Sequence, residues 1–269
     1  MTFFRILVVL FLCRLAVPES SCLSAQSLDT FERRTYAAND GTALPYRILY
    51  PRGYDRAAKE KYPLVLFLHG AGERGDDNEA QLVHGAGMLL SDTHRRLFPA
   101  IYVFPQCPKN GYWSNVDVDR SALPVDLTFD YTQPPTPALR AVMELMDKLA
   151  REECLDKKRY YVMGLSMGGM GTFELVHRRP KTFAAAMPIC GGMDTKNYTK
   201  KARKTRFWVH HGADDSVVSV EESRMATARL RELGYRDVKY SEYPGVNHNS
   251  WDSAFSDPEL YPWLFAQRR

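Results

Sequence analysis

The sequence predicts an α/β fold: a mainly parallel sheet with helices on both faces, forming a single domain. Two observations carry this expectation. Short apolar runs bounded by turn residues recur over 62–68, 100–104, 159–163, 184–189, 205–209 and 238–243, as buried strands do. Between them lie 137–153, 167–178 and 220–233, where apolar residues return at helical spacing. Leu139, Val142, Met143, Met146 and Leu149 share one face of the first. Strands alternating with helices pair in parallel through helical crossovers, and burial on both faces makes each strand a continuous apolar run. An earlier strand over 46–50 follows Pro45 and is expected to be an antiparallel edge strand, where a proline costs no ladder bond.

Composition sets the outer bounds. A chain of 269 residues with 25% charged and 45% hydrophobic residues has the make-up of an ordinary globular protein of one large domain. The formal charge of +4 is small and its cations are scattered, so no nucleic-acid partner is expected. The densest basic stretch, 196–206, reads as a solvated loop leading into a strand.

Residues 1–25 have the layout of a cleaved export signal: Arg5, an apolar run over 6–13, Pro18 and small residues ending near Ala25. That run is too short to span a membrane, and Arg14 interrupts it. The folded domain is therefore expected over 26–269, in a secreted or periplasmic protein with no stable membrane insertion. Cys107, Cys154 and Cys190 would remain. Three thiols cannot all pair, and no CxxC spacing supports zinc or redox chemistry, so buried free thiols are expected ahead of a single bridge from Cys107.

The segment 105–137 holds no sustained period, yet it carries Tyr112, Trp113, Phe129 and Tyr131, which argues for an ordered excursion. It follows a strand, and Trp113 is expected either to contact substrate there or to pack the loop.

The strongest local signal is Gly164-Leu165-Ser166-Met167-Gly168, preceded by an apolar strand and followed by a helical pattern. A serine hydroxyl is a weak nucleophile unless a base takes its proton, and the base needs an acid to orient it. The loop after the strand at 205–209 supplies Asp214 and Asp215. The loop after the strand at 238–243 supplies His248. The chain order serine, acid, histidine is one of three known for such triads. His84, His94 and His177 have no ligand-spaced partner, and the neighbours His210 and His211 would point to opposite sides of a strand, so neither metal nor cofactor is expected.

The stretches Leu66-Phe67-Leu68-His69-Gly70-Ala71-Gly72-Glu73-Arg74-Gly75, Gly164 to Gly169, His211-Gly212-x-x-Asp215-x-x-Val218, Gly245-x-Asn247-His248 and Tyr261-Pro262-Trp263-Leu264-Phe265 together resemble the α/β-hydrolase superfamily. The resemblance is to its carboxylesterase and prolyl-oligopeptidase-like branch, near secreted feruloyl and acetylxylan esterases, and it covers the chain from about Tyr46. It implies a catalytic triad of Ser166, Asp215 and His248, with Asp215 preferred to Asp214. It also implies an oxyanion hole from the N–H groups of Met167 and Ala71, with Gly72 second, and a structural role for His69.

The implied substrate is a carboxylic ester, either a small molecule or one linked to a plant polysaccharide, carrying a feruloyl or acetyl group. A prolyl-oligopeptidase-type peptidase is disfavoured because no propeller region precedes the hydrolase region. A lipase is disfavoured because no amphipathic lid is evident. A non-catalytic binding protein would have no use for the triad.

Overall fold

The computed structural model describes residues 27–269, so the export signal expected over 1–25 lies outside the described residues. The main sheet has eight strands: β1 (Glu32–Ala37), β2 (Ala43–Leu49), β3 (Tyr62–Leu68), β4 (Ile101–Pro105), β7 (Leu155–Leu165), β8 (Ala185–Ile189), β9 (Arg206–Gly212) and β10 (Val238–Tyr243). Their spatial order is β1-β2-β4-β3-β7-β8-β9-β10. Pairing is antiparallel from β1 to β2 and from β2 to β4, and parallel everywhere else.

The expected antiparallel strand near 46–50 is β2, but it is not the edge. β1 covers it, and Pro45 sits inside β2 opposite Thr35, its carbonyl accepting from Gln106 N at 2.8 Å. β1 escapes a hydrophobicity search because Glu32, Arg33 and Arg34 open it, and its side chains are largely exposed.

Side-chain alternation along the strands builds a core on each face. Leu64, Leu66 and Leu68 of β3 face one side with α2 (Pro137–Glu152), α3 (Met167–Arg178) and α4 (Val220–Glu232). Val65 and Phe67 face the other, with α5 (Ser250–Ser256), α6 (Leu260–Ala266) and the 3-10 turns near Leu82 and Leu89; α1 (Asp92–Leu97) precedes β4. α2 shows why a helix starts where it does: the Thr136 hydroxyl accepts from Leu139 N, and Pro137 occupies the first turn, where a missing N–H costs nothing. The irregular segment 105–137 contains an antiparallel hairpin of β5 (Val116–Asp119) and β6 (Asp126–Phe129). Cys107 and Cys190 are buried free thiols as expected, and Cys154 is a half-buried one.

Three buried imidazoles make the fold acid-labile. Burial holds His69 and His94 down to about 4 and His210 down to about 3, the last helped by Lys239. Their folded values lie below the unfolded value of about 6.5, so the unfolded chain binds protons first as the pH falls. Stability from these groups is intact above about pH 6.5 and drains from there to about 4 for His69 and His94 and to about 3 for His210, by up to about 1.4 kcal/mol per pH unit for each histidine. The melting temperature followed by circular dichroism is expected to fall steeply over that window.

Candidate active site

Loops at the carboxyl ends of β3, β7, β9 and β10 converge on one edge of the sheet. Ser166 sits between β7 and α3 with φ 52° and ψ −117°, a strained conformation for a residue with a side chain. Its N–H donates to Ile189 O at 2.9 Å, pinning the turn to the neighbouring strand. Two glycines are sterically required. A Cβ on Gly164 would lie 2.3 Å from Gly168 O, and one on Gly168 only 1.9 Å from Leu68 O. Backbone occupies the space where those side chains would be, so the motif is a packing demand of the elbow.

The structure brings Ser166, His248 and Asp215 into one relay. His248 Nε2 lies 2.9 Å from Ser166 Oγ, and His248 Nδ1 lies 2.7 Å from Asp215 Oδ2. A carboxylate only accepts, so Nδ1 carries the proton and Nε2 presents its lone pair to the serine hydroxyl. Asp214, by contrast, is exposed, and its N–H donates to Val246 O.

Asp215 is held from four directions. Oδ1 accepts from Val217 N and Val218 N at 2.8 and 2.9 Å, and Oδ2 takes His248 and also His211 Nε2 at 3.1 Å. Burial alone would raise this carboxyl, but the hydrogen bonds from His211 and His248 outweigh it and keep Asp215 well below the usual carboxylate range.

His211 and Asn247 are contributors that sequence reasoning missed. His211 Nδ1 contacts Ser223 Oγ at 2.7 Å, which fixes its ring behind Asp215. Its four-residue spacing from Asp215 in the His-Gly-x-x-Asp stretch was the available signal. Asn247 Oδ1 accepts from Ser216 N at 2.9 Å and from His248 N at 2.7 Å, tying the acid loop to the base loop. Cys190, Asp215 and His248 place one ligand-type atom each within 4.8 Å of one another, but the latter two are engaged with each other.

Met167 is the first residue of α3, and Ala71 opens a 3-10 turn, Ala71–Glu73. N–H groups at the start of a helical turn have no acceptor within it. Gly70, Ala71 and Gly72 line the same cleft as Ser166 and His248. His69 is buried behind that loop, its Nε2 accepting from Cys107 N at 2.9 Å and its Nδ1 2.6 Å from Gly70 O. It therefore braces the loop and cannot serve as the base.

The cleft has a volume of about 170 Å³. Trp113, the candidate for substrate contact, does not line it. The indole has no exposed surface: its Nε1 donates to His69 O at 3.0 Å, and its Cβ packs where a Cβ on Gly171 would be 2.5 Å away. Its neighbour Tyr112 faces the cleft, together with Val118, Val125, Met170, Val217 and Val218. These six belong to one apolar cluster, with Val116, Leu127 and Phe129, that joins the β5–β6 hairpin to the acid loop.

A nucleophile elbow on a mainly parallel sheet, with the serine–histidine–acid order and the relay just described, defines an α/β hydrolase. The family model described as phospholipase/carboxylesterase matches residues 55–258, so the chain belongs to that family of carboxylic-ester hydrolases. It is 29% identical over 196 residues to the carboxylesterase SOBER1 of Arabidopsis thaliana, covering 69% of this chain and 82% of that protein. A solved thermostable esterase superposes with a TM-score of 0.78 at 36% identity over 90% of this chain; this chain spans 64% of that longer one. A ferulic acid esterase of Anaeromyces mucronatus shares the fold, with a TM-score of 0.60 at 16% identity over 87% of this chain and 88% of its own. Among the described residues no helix is long and apolar enough to cross a membrane.

Proposed function

We propose that this protein hydrolyses esters of short or single-ring carboxylic acids through an acyl-enzyme on Ser166. The observation that carries the reading is the unbroken relay Ser166 Oγ, His248, Asp215 at 2.9 and 2.7 Å. Ser166 Oγ attacks the ester carbonyl carbon while its proton passes to His248 Nε2. The carbonyl π electrons move to oxygen, and the N–H groups of Met167 and Ala71 receive that oxyanion. His248 returns the proton to the departing alcohol as the C–O bond breaks. A water then attacks the acyl-serine by the same route, releasing the acid and restoring Ser166.

The cleft beside Ser166 has a volume of about 170 Å³. A cavity of about 150 Å³ admits benzene, so an acetyl group or one aromatic ring such as a feruloyl ring fits the scale of the cleft. Esters of these acids on plant polysaccharides, met outside the cell by an exported protein of residues 26–269, are the substrate class this reading favours. Rates on 4-nitrophenyl acetate, butyrate, octanoate and palmitate provide the test. Acetate or butyrate is expected to exceed palmitate at least about 100-fold in kcat/KM, the scale of losing several kcal/mol of transition-state binding. A maximum at palmitate would replace this reading with a lipase or acyl-thioesterase one.

A further inference from the structure

The cleft is divided chemically. One wall is the apolar cluster around Met170, Val125 and Val218, with Arg120 of the β5–β6 hairpin at the same cleft. The other is a continuous polar run: Glu73 Oε1 lies 3.7 Å from His84 Nε2, the His84 ring packs 5.0 Å from Trp251, and Trp251 meets His248 edge-on at 5.6 Å. His248 hands its proton to the departing alcohol, so the alcohol leaves on the side that His248 and Trp251 occupy. The apolar wall is left for the acyl group.

Glu73 is unusual in this setting. Its side chain is only 15% exposed, it lines the cleft, and its Oε2 is buried with no hydrogen-bond partner among the described residues. The imidazoles within 4 Å are not in hydrogen-bonding contact with it: His69 Nδ1 lies 3.9 Å from Oε2 and His84 Nε2 3.7 Å from Oε1. A buried acceptor without a donor costs free energy, and native structures keep few of them. A carboxylate beside an oxyanion hole is also electrostatically adverse to the developing negative charge. The buried Oε2 is closed off behind Gly70, and the charge is offset when the bound substrate brings a donor to the other oxygen, Oε1, on the His84 side.

We infer that Glu73, with His84 and Trp251 beside it, forms the alcohol subsite and selects esters whose alcohol carries a free hydroxyl near the scissile bond, as in a polyol or a sugar. This rests on the proposed ester hydrolysis at Ser166. The hydroxyl donates to the Glu73 carboxylate while the carbon skeleton lies against the Trp251 ring. A simple alkyl alcohol would leave the carboxylate unpartnered, and sites built to hydrogen-bond a substrate hydroxyl reject analogues that lack it.

The test compares 1-monobutyrin with propyl butyrate, which share the acid and a three-carbon alcohol and differ in two hydroxyls. Wild-type kcat/KM is expected to favour monobutyrin at least about tenfold, the scale of one hydrogen bond to a charged acceptor. In Glu73→Ala and in the isosteric Glu73→Gln that ratio is expected to fall toward one. A merely structural role for Glu73 would lower both rates together and leave the ratio unchanged, which overturns the inference. Equal wild-type rates on the two esters overturn it without any variant. If the wild type also fails on 4-nitrophenyl butyrate, the ester reading itself falls, so the two failures are distinguishable.

Discussion

Replacing Ser166 by Ala is expected to lower kcat by about 10⁵- to 10⁶-fold on any ester the wild type cleaves, the cost of removing the nucleophile of such a triad. Labelling by a fluorophosphonate, which requires the activated oxygen, should vanish with it. The fold should survive. The strain at φ 52° belongs to the backbone, which Gly164 and Gly168 allow to close on itself, and Ala keeps the same Cβ. The Ser166→Ala/His248→Ala double variant should be no slower than either single one, because the two residues act as a unit. Additive losses would mean that His248 works on something other than Ser166. Single-turnover kinetics with 4-nitrophenyl acetate, fluorophosphonate labelling and a circular dichroism spectrum check all four statements.

The parallel strands β3, β4, β7, β8, β9 and β10 were legible because burial on both faces leaves an apolar run whose meaning hardly depends on neighbours. β1 was not legible. Its pairing with β2 satisfies the backbone of a polar segment, a tertiary fact that Glu32-Arg33-Arg34 does not advertise. α1, α5 and α6 have six or seven residues each, too few turns for a helical period to stand out.

The site divides in the same way. Ser166, Asp215 and His248 each follow a strand in a loop whose motif has a steric or chemical reason, so order along the chain anticipated their convergence. Trp113 takes the packing role, one of the two the sequence left open, because side chains of adjacent residues point apart. The excursion carried Tyr112-Trp113, but only the packing of the indole on His69 and Gly171 decides which ring faces the cleft. His211 and Asn247 act through other residues, and a bond to a bond leaves no composition signal. Glu73 lies within the His69-Gly70-Ala71-Gly72-Glu73 stretch, yet its unpartnered oxygen exists only in three dimensions.

Asp215→Asn is expected to reduce kcat by about 10⁴-fold, while Asp214→Asn stays within about threefold. The reason is the number of acceptors. Asp215 faces four donors: Val217 N–H, Val218 N–H, His248 Nδ1–H and His211 Nε2–H, the last shared with Val218 O. An asparagine has one accepting oxygen. If that oxygen stays with the two backbone N–H groups, the amide NH₂ faces His248 Nδ1 and drives the proton to Nε2. His248 would then point an N–H at Ser166 Oγ and could not act as its base. If the amide flips, its NH₂ confronts the two backbone donors, and the loop that carries the acid must move. Neither arrangement preserves a base at Ser166. Asp214 is exposed and turned away from the relay, so its replacement removes one surface charge and little else. Kinetics of both variants on 4-nitrophenyl acetate decide the matter, and the opposite ranking would mean that the hydrogen bond His248 donates to Asp215 orients nothing the reaction needs.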